Sequence, residues 1–319
     1  MMQVARAGLL AVAVLCSAAA SAADSPIATI RFGDLGASTG NLYQSLAVEK
    51  GIYRHHGIDL EVVPFLQGGP EAVAAAVANQ IDMGSVGTPV LIAISRGMPI
   101  RIVGSPPRKG QPFILVGRPE IRTVSELRGK VVGFSSVGGG SAEALHVILS
   151  ANDVTADQVQ TIAYGAGPNG YIALKSGRLT GAVLAEPYAT RAELDGVGHV
   201  LADADAYFDH YQHSYIFATQ KFIVGYPEAI RAYFEASREA LRYAKAHQDE
   251  LVAFGQKTLK LDERLLRAVF AKEIPKWDKN DDVDTEGLLN ALKILQQIGD
   301  IRKSYTPDLD YIIDPRFSH

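Results

Sequence analysis

A pattern of strands, helices and prolines occurs twice in this chain of 319 residues. A shift of 98 residues brings Gly69-Pro70 onto Gly167-Pro168. The same shift brings Thr88-Pro89 onto Glu186-Pro187, with no gap between the two pairs. In each copy a strand leads into Gly-Pro, a thin helix, a polar turn, a second strand and x-Pro. The repeat predicts two similar lobes of alternating strands and helices, so the fold class is α/β.

Each lobe is expected to present small-residue loops where its strands end. The loops at 35–40, 67–70 and 135–140 each follow a strand pattern and precede a helix pattern. Exposed backbone amides in such loops point away from one edge of a sheet, where open α/β sheets bind ligands. Purely structural turns between strands and helices would have the same pattern, so the loops alone leave both interpretations open.

The chain is expected to cross between the lobes twice. Residues 113–117 and 215–219 both have the pattern of extended segments, and we interpret them as paired crossings that form a hinge beside a ligand cleft. Residues 23–117 and 214–319 then make up lobe 1, and residues 118–213 make up lobe 2. The chain after residue 226 is helical without a strand–helix–strand unit, so these C-terminal helices should pack onto lobe 1.

The N-terminus has the features of a secretory signal peptide. Arg6 precedes an apolar run that is too short to span a membrane, and small residues at its end fit a cleavage site after Ala22 or Ala23. The only cysteine, Cys16, lies in this run. Lipid anchoring at Cys16 is the alternative, but the bulky leucine before it does not fit that motif. We therefore expect residues 1–22 to be removed and the mature chain to reach the periplasm without thiol chemistry.

The charge balance argues against a nucleic-acid partner. The sequence has 31 Lys and Arg residues against 35 Asp and Glu residues, a formal net charge of -4, and its basic residues are scattered. A protein that binds nucleic acid through phosphates needs a basic patch or stripe. We therefore predict no nucleic-acid partner.

Several short motifs resemble sites for cofactors, metals or catalysis but lack essential parts. Residues 165–170 match G-x-G-x-x-G, but Pro168 interrupts the turn and the following helix pattern is short. Residues 278–284 alternate like a calcium loop, without its turn glycine or final glutamate. His55-His56 and the pair His210 and His213 have no third ligand at metal-site spacing, and no G-x-S-x-G motif occurs. We predict no cofactor, no metal and no catalytic residue.

Two polar features remain as candidates for ligand binding. Ser135, Ser136 and Ser141 surround three consecutive glycines at the start of a helix pattern. Free N–H groups and the helix dipole would cradle an anion or a carbonyl group there, although a flexible loop with an N-capping serine would have the same sequence. Glu186, at a strand end, favours a ligand with an amine or another donor, or else makes a contact between the lobes.

These segments together resemble the solute-binding proteins of ATP-binding-cassette importers, in the subgroup for sulfonates, taurine, nitrate and thiamine pyrimidine precursors. The resemblance extends over nearly the whole mature chain. It rests on Gly68-Gly69-Pro70, Ile81-Asp82-Met83-Gly84, Gly87-Thr88-Pro89, the run from Ala173 to Leu179, and Glu186-Pro187-Tyr188. It implies a two-lobed type II periplasmic-binding-protein fold with a two-strand hinge, ligand capture by closure of the cleft, and delivery to a permease.

The resemblance also implies that ligand-binding residues lie in the loops at the strand ends. With neighbouring polar positions at helix starts and in the second crossing, the predicted ligand-binding residues are Ser38, Thr39, Asn41, Gln67, Gly68, Thr88, Ser135, Ser136, Gly139, Gly140, Ser141, Asn169, Glu186 and Tyr215. None of the loops contains Arg or Lys, which argues against a strongly anionic ligand such as nitrate or a simple sulfonate.

The function expected from the resemblance is that of a monomeric, periplasmic component of an importer. It would capture a small polar organic solute that is sulfonate-like, amino-sulfonate-like, or pyrimidine-like or aromatic. Its partner would be the inner-membrane permease with its ATPase. Two alternatives keep the same fold. One is an enzyme acting on a thiamine-pyrimidine precursor, for which we would expect a cysteine-rich segment, and the other is a sensor that passes closure to a membrane receptor.

Overall fold

The computed structural model describes residues 28–35, 39–65, 67–108, 110–165, 167–208, 210–278 and 281–317. The predicted signal peptide with Cys16 lies outside the described residues, so its cleavage and the alternative of lipid anchoring stay predictions. Within the described ranges, no helix combines the length and apolar character needed to cross a membrane.

The described residues contain two sheets of five strands each. The strands are β1 (Ala28–Asp34), β2 (Ile58–Pro64), β3 (Met83–Val86), β4 (Ile100–Gly104), β5 (Ile114–Gly117), β6 (Val131–Phe134), β7 (Gln160–Ala163), β8 (Gly181–Leu184), β9 (His199–Asp203) and β10 (Tyr215–Thr219). The first sheet has the order β2-β1-β3-β10-β4, and the second has the order β7-β6-β8-β5-β9. In each sheet the fourth strand runs antiparallel to both neighbours.

The strand register explains the repeat in the sequence. Met83 of β3 pairs with Phe32 of β1, and Gly181 of β8 pairs with Val132 of β6. Met83 and Gly181 therefore occupy equivalent places in the two sheets, and they are separated by the same 98 residues that relate the proline pairs. The repeat thus corresponds to two sheets of one topology, and the predicted two-lobed α/β class is confirmed.

The chain passes between the two sheets twice, before β5 and again before β10, as predicted, but the interpretation that these two segments pair with each other was wrong. β5 follows the first four strands in sequence but pairs with β8 and β9, whereas β10 pairs with β3 and β4. Each of them fills a gap between two strands of one sheet. Without it, the facing edges of those strands would keep unpaired backbone N–H and C=O groups. Each half of the chain therefore contributes its last strand to the sheet of the other half.

Helices cover both faces of the two sheets. In the described part of the chain they are α1 (Leu42–Glu49), α2 (Ile52–His55), α3 (Gly69–Val77), α4 (Pro89–Ser95), α5 (Gly140–Ala151), α6 (Asn169–Lys175), α7 (Tyr188–Leu194), α8 (Gln220–Gly225), α9 (Pro227–Ala246), α10 (Gln248–Leu259), α11 (Glu263–Glu273), α12 (Thr285–Ile298) and α13 (Leu309–Ile312). Short 3-10 helices cover Val124–Leu127, Ala156–Gln158, Ala204–Tyr207 and Ile274–Lys276.

The C-terminal helices bury the two faces of the first sheet. On one face, α9 packs with α1 and α2 in a cluster that includes Phe32 and Tyr233. On the other face, α12 packs with α3 and α4 around Phe217 and Leu292. Both helices have one apolar side, which the sheet removes from water. α11 extends from this layer to α7 beside the second sheet, so the C-terminal helices also contact the second lobe.

Candidate ligand-binding site

A cavity of about 180 Å³ lies between the two sheets. Its walls come from the starts of α3 and α4, the loop before α5, the ends of β7 and β8, and the crossing segments before β5 and β10. The lining residues are Leu35, Gly68, Gly69, Val86, Gly87, Pro89, Pro112, Phe113, Ser135, Ser136, Gly139, Gly140, Tyr164, Gly165, Gly167, Leu184, Ala185, Glu186, Tyr188 and His213.

The first-lobe wall depends on the glycine that precedes α3. Gly68 has φ 97° and ψ -169°, a conformation that only glycine adopts readily. A Cβ atom built on Gly68 would lie 3.0 Å from the Ser136 Oγ of the opposite wall. The missing side chain therefore allows the loops of the two lobes to approach closely.

The second-lobe wall is a serine- and glycine-rich loop held by an internal hydrogen-bond pair. Ser141 is fully buried, and its Oγ accepts a bond of 2.9 Å from the Ser135 backbone N–H. The Ser135 and Ser141 hydroxyl oxygens are 2.6 Å apart. Ser141 therefore positions Ser135, while Ser135, Ser136, Gly139 and Gly140 line the cavity at the N-terminus of α5.

Aromatic side chains form much of the remaining lining, and sequence reasoning missed them. Phe113 and His213 lie in the two crossing segments, with their rings edge to face and the ring centroids 5.0 Å apart. Tyr164 follows β7 and donates a hydrogen bond to the Val183 carbonyl. Tyr188 begins α7 directly after Glu186-Pro187. The sequence did contain a signal for these aromatic residues, because each ring lies within a few residues of a strand end.

The lining contains one carboxyl group, that of Glu186, and among the described lining residues there is no Lys or Arg. The Glu186 Oε2 accepts a bond of 3.1 Å from the Thr190 backbone N–H, and its Oε1 accepts one of 2.7 Å from the Thr190 hydroxyl. The Lys272 Nζ of α11 lies 4.0 Å from Oε1. Burial raises the pKa of Glu186, and Thr190 and Lys272 offset part of this rise. Glu186 thus lines the cavity and also contacts the opposite lobe through Lys272, while its predicted role in binding a ligand stays a prediction.

His213 contributes a neutral ring to the lining. Burial lowers its pKa to about 3, and the positive charge of Arg108 acts in the same direction. The ring is therefore uncharged at neutral pH. In the described residues its Nδ1 is buried without a hydrogen-bond partner.

Six predicted residues line the cavity, namely Gly68, Ser135, Ser136, Gly139, Gly140 and Glu186. Ser38 lies outside the described residues. The remaining predicted residues are outside the lining: Thr39, Asn41, Gln67, Thr88, Ser141, Asn169 and Tyr215. The Asn41 amide donates to Asp34, and the Tyr215 hydroxyl donates to the Gln212 carbonyl. Gln67 and Asn169 are exposed. A direct role of these residues in ligand binding stays a prediction.

Thr88 is directed toward the second lobe. It is buried at the start of α4 and neighbours Glu143, a buried residue in the first turn of α5. Glu143 accepts a hydrogen bond from the Tyr211 hydroxyl of the second crossing segment. Burial raises the pKa of Glu143 to about 7, although the Tyr211 and Thr88 hydroxyls lower it in part. The Tyr211 and Thr88 hydroxyls therefore favour the ionised carboxylate, while burial favours the neutral form.

Among the described residues, one group of side chains has the spacing of a metal site. It consists of His55, His56 and Glu239, which lie outside the cavity.

Known proteins share this fold over most of the chain. The alkanesulfonate-binding protein of Xanthomonas axonopodis pv. citri, solved with bound MOPS, is 16% identical with a TM-score of 0.75 over 91% of this chain and 97% of that chain. The nitrate-binding protein of Synechocystis PCC 6803 is 16% identical with a TM-score of 0.68 over 91% of this chain and 86% of that chain. The predicted two-lobed periplasmic-binding-protein fold is confirmed.

Sequence comparison identifies the family. A candidate binding protein of Brucella abortus (strain 2308) is 23% identical over 300 residues, which cover 89% of this chain and 90% of the relative. A family model described as NMT1/THI5 like matches residues 41–251, well over half of the chain. The chain therefore belongs to the NMT1/THI5-like family.

Proposed function

We propose that this protein is the exported solute-binding component of an ATP-binding-cassette importer. It captures a small solute in the cavity between its lobes and passes it to a permease of the inner membrane, acting as a monomer in the periplasm. Family membership and the fold shared with binding proteins support this function. The observation that carries it is the position of the cavity, because a solute bound there contacts both lobes at once.

The proposed solute contains a single aromatic ring, as a pyrimidine does, with a small polar group and little or no net negative charge. The rings of Phe113, Tyr164 and Tyr188 offer flat apolar surfaces. The cavity of about 180 Å³ is comparable with engineered cavities of about 150 Å³ that bind benzene. The serine hydroxyls and the N-terminus of α5 suit a carbonyl oxygen or a ring nitrogen on the solute.

A fully charged anion fits this lining less well. Nitrate or a simple alkanesulfonate would bring a negative charge beside Glu186, and no lining residue in the described ranges is a cation. Burial of an unpaired charge is costly. We therefore assign this chain a solute class different from those in the names of its alkanesulfonate- and nitrate-binding neighbours.

Capture requires both walls of the cavity. A hydrogen bond contributes about 0.5–1.5 kcal/mol, and about 1.5–3 kcal/mol when one partner is charged. Micromolar affinity needs about 8 kcal/mol beyond an association cost of about 4 kcal/mol or more. The few donors of one wall cannot supply this free energy alone. Binding therefore favours the closed arrangement of the lobes, which the permease can distinguish from the open one.

We also propose revised boundaries for the lobes. Because β5 belongs to the second sheet, the second lobe starts before Ile114 rather than at residue 118. Residues 28–104 and 215–317 then form the first lobe, residues 114–203 form the second, and residues 105–113 and 204–214 connect them.

A thermal-shift screen tests the proposed function. Pyrimidines, aromatic amides and carboxylates, taurine, alkanesulfonates and nitrate are each added to the purified protein. We expect a pyrimidine or another uncharged aromatic compound to raise the melting temperature, because a ligand stabilises the state that it binds. A larger shift with nitrate or an alkanesulfonate would contradict the solute class while keeping the binding function.

The same screen separates binding from catalysis. Chemical conversion of a stabilising compound during incubation would favour the enzyme alternative. The binding role is preferred because the only cysteine of the sequence is Cys16 in the predicted signal peptide, so the mature chain has no thiol nucleophile. No stabilisation by any compound, together with none by extracts of periplasm, would contradict solute binding at this cavity.

A further inference from the structure

In the first lobe, the end of α2 and the exposed side of α9 bring two histidines and a glutamate together, and none of the three lines the cavity. His55 is the last residue of α2 and His56 follows it, while Glu239 lies on α9. One ligand atom from each of these residues lies within 4.8 Å of the ligand atoms of the other two. From this geometry we propose that His55, His56 and Glu239 form a binding site for a divalent transition-metal ion such as Zn²⁺.

The distances require only small movements of side chains. Zinc binds imidazole nitrogen and carboxylate oxygen at about 2.0–2.2 Å with tetrahedral geometry, which places ligand atoms about 3.4 Å apart. The His56 Nε2 and the Glu239 Oε2 are already 2.8 Å apart. An incoming ion replaces this direct contact with two metal bonds, and His55 needs to rotate inward.

The backbone that carries these side chains is held by buried contacts. The Tyr53 hydroxyl of α2 bonds to the Ser237 hydroxyl of α9 at 2.9 Å. The Tyr53 ring also stacks on the Tyr233 ring with centroids 5.9 Å apart. These contacts fix α2 against α9 one turn from the proposed ligands, so the site is organised before the metal arrives.

Charge also favours a cation at this position. Glu235 lies one helical turn before Glu239, and its Oε2 is 3.9 Å from the His56 Nδ1. Residues four apart on a helix share one face, so both carboxylates face the end of α2. Glu235 can orient His56 through its second nitrogen or supply a fourth ligand. The mixed nitrogen and oxygen set suits zinc, copper or nickel, whereas magnesium prefers oxygen ligands alone.

The sequence did not reveal this site because its proposed ligands are far apart along the chain. His55-His56 was set aside for want of a third ligand nearby, and that ligand comes from Glu239, 183 residues later. The proposed site lies away from the cavity, so it is independent of the proposed transport function. Its expected role is to join α2 to α9 and stabilise the first lobe.

Isothermal titration of the untagged protein with Zn²⁺, after treatment with a chelator, tests the proposal. We expect one equivalent of Zn²⁺ to bind and the melting temperature to rise by a few degrees, with no such response to Mg²⁺. His56→Ala and Glu239→Gln should each weaken Zn²⁺ binding tenfold or more, since loss of supporting groups alone weakens metal sites about 10–100-fold.

Matched controls separate the site from general surface binding. Glu228→Gln removes a carboxylate from the same helix, and His247→Gln removes an exposed histidine nearby. Both should bind Zn²⁺ as the unchanged protein does. Circular dichroism in the presence of chelator checks that every variant is folded. The absence of stoichiometric binding, or equal binding by His56→Ala, Glu239→Gln and both controls, would overturn the proposal.

Discussion

Thr88 and Glu186 occupy equivalent positions in the two repeats, but of the two only Glu186 lines the cavity. Each precedes a proline at the start of a helix, after β3 and after β8. Thr88 is buried against Glu143 of the second lobe and does not line the cavity. Glu186 lines the cavity and is 4.0 Å from Lys272 of the C-terminal helices. Both positions therefore contact the opposite lobe, but Thr88 is buried away from the cavity and Glu186 lines it.

This difference shows how a repeated backbone can form an asymmetric site. The strands fix where the two loops end, and the side chain at that position decides whether the residue lines the cavity. Burial raises the pKa of Glu143 at the first contact, while the contact at Glu186 is partly screened because the Lys272 side chain is 47% exposed.

The largest predicted effect concerns Glu143 and pH. Its pKa is about 7 in the folded protein against an ordinary value of 4.5. Between these values the folded protein keeps a proton that the unfolded chain has lost, so the free energy of unfolding falls as pH rises. The gap corresponds to about 3 kcal/mol. Glu143→Gln should abolish this loss, and thus be more stable than the unchanged protein above pH 7.

Chemical denaturation at several pH values measures the Glu143 prediction. The difference in free energy of unfolding between Glu143→Gln and the unchanged protein should grow from pH 4.5 to pH 7 and then level off. Glu126→Gln, which alters an exposed carboxylate, serves as the control and should show no such trend. A constant difference across this range would show that the pKa of Glu143 is not raised in the folded protein.

The second-largest effect on stability is expected at Gly68, where the two walls of the cavity approach each other. Gly68→Ala should lower the free energy of unfolding by about 1–3 kcal/mol, because alanine does not tolerate this backbone conformation. Gly225→Ala is the matched control, since a Cβ there meets open space in α8. Equal stability of the two variants in urea unfolding would mean that the first-lobe loop can change its conformation freely.

Glu186→Gln separates ligand recognition from contact between the lobes. If the carboxylate adjoins the solute, the substitution should change the affinity for a compound from the thermal-shift screen about tenfold, or about 1.4 kcal/mol. Lys272→Met keeps the Glu186 carboxylate and removes the contacts of Lys272 with Glu186, Glu193 and Thr190. An exposed ion pair of this kind is worth less than about 1 kcal/mol. Calorimetry that finds the same small change for both variants would assign Glu186 to the lobe contact alone.

The smallest effect is expected for Thr88→Val. Valine has nearly the same shape, and in the described residues the Thr88 hydroxyl has no hydrogen-bond partner of normal geometry. The free energy of unfolding should change by less than about 1 kcal/mol at pH 5, where Glu143 is neutral. At pH 8, where Glu143 is ionised and the Thr88 hydroxyl favours the charged carboxylate, the variant should be the less stable one. Equal stability of the two proteins at both pH values would show that the Thr88 hydroxyl does not interact with Glu143.

Local patterns predicted much of the fold but less of the site. Pro227 begins α9 and Gly299 follows the last residue of α12, and both residues are local signals of a helix start or end that a sequence shows directly. The pairing of β5 and β10 could not be predicted in this way, since it depends on which gap each strand fills. The sequence pattern also did not indicate β9, whose five residues include only two aliphatic side chains larger than alanine.

The side chains that line the cavity could likewise be predicted only in part. Ser135, Ser136 and Glu186 line the cavity and could be singled out in the sequence, because the polar residues of a loop are visible there. Ser141 has the same chemistry, but its hydroxyl accepts a hydrogen bond from the Ser135 backbone instead of lining the cavity, because tertiary packing sets its orientation. Tyr164 and Tyr188 were missed because an aromatic residue near a strand end is more often part of a core than of a ligand pocket.

The exchange of β5 and β10 has a consequence for the order of events during synthesis. All strands of the second sheet lie between Ile114 and Asp203, so this sheet can be completed while the rest of the chain is still being made. The first sheet starts earlier but must wait for Tyr215–Thr219 to join β3 to β4. The half that comes first in the sequence therefore completes its sheet last, and β3 and β4 keep exposed strand edges until β10 is in place.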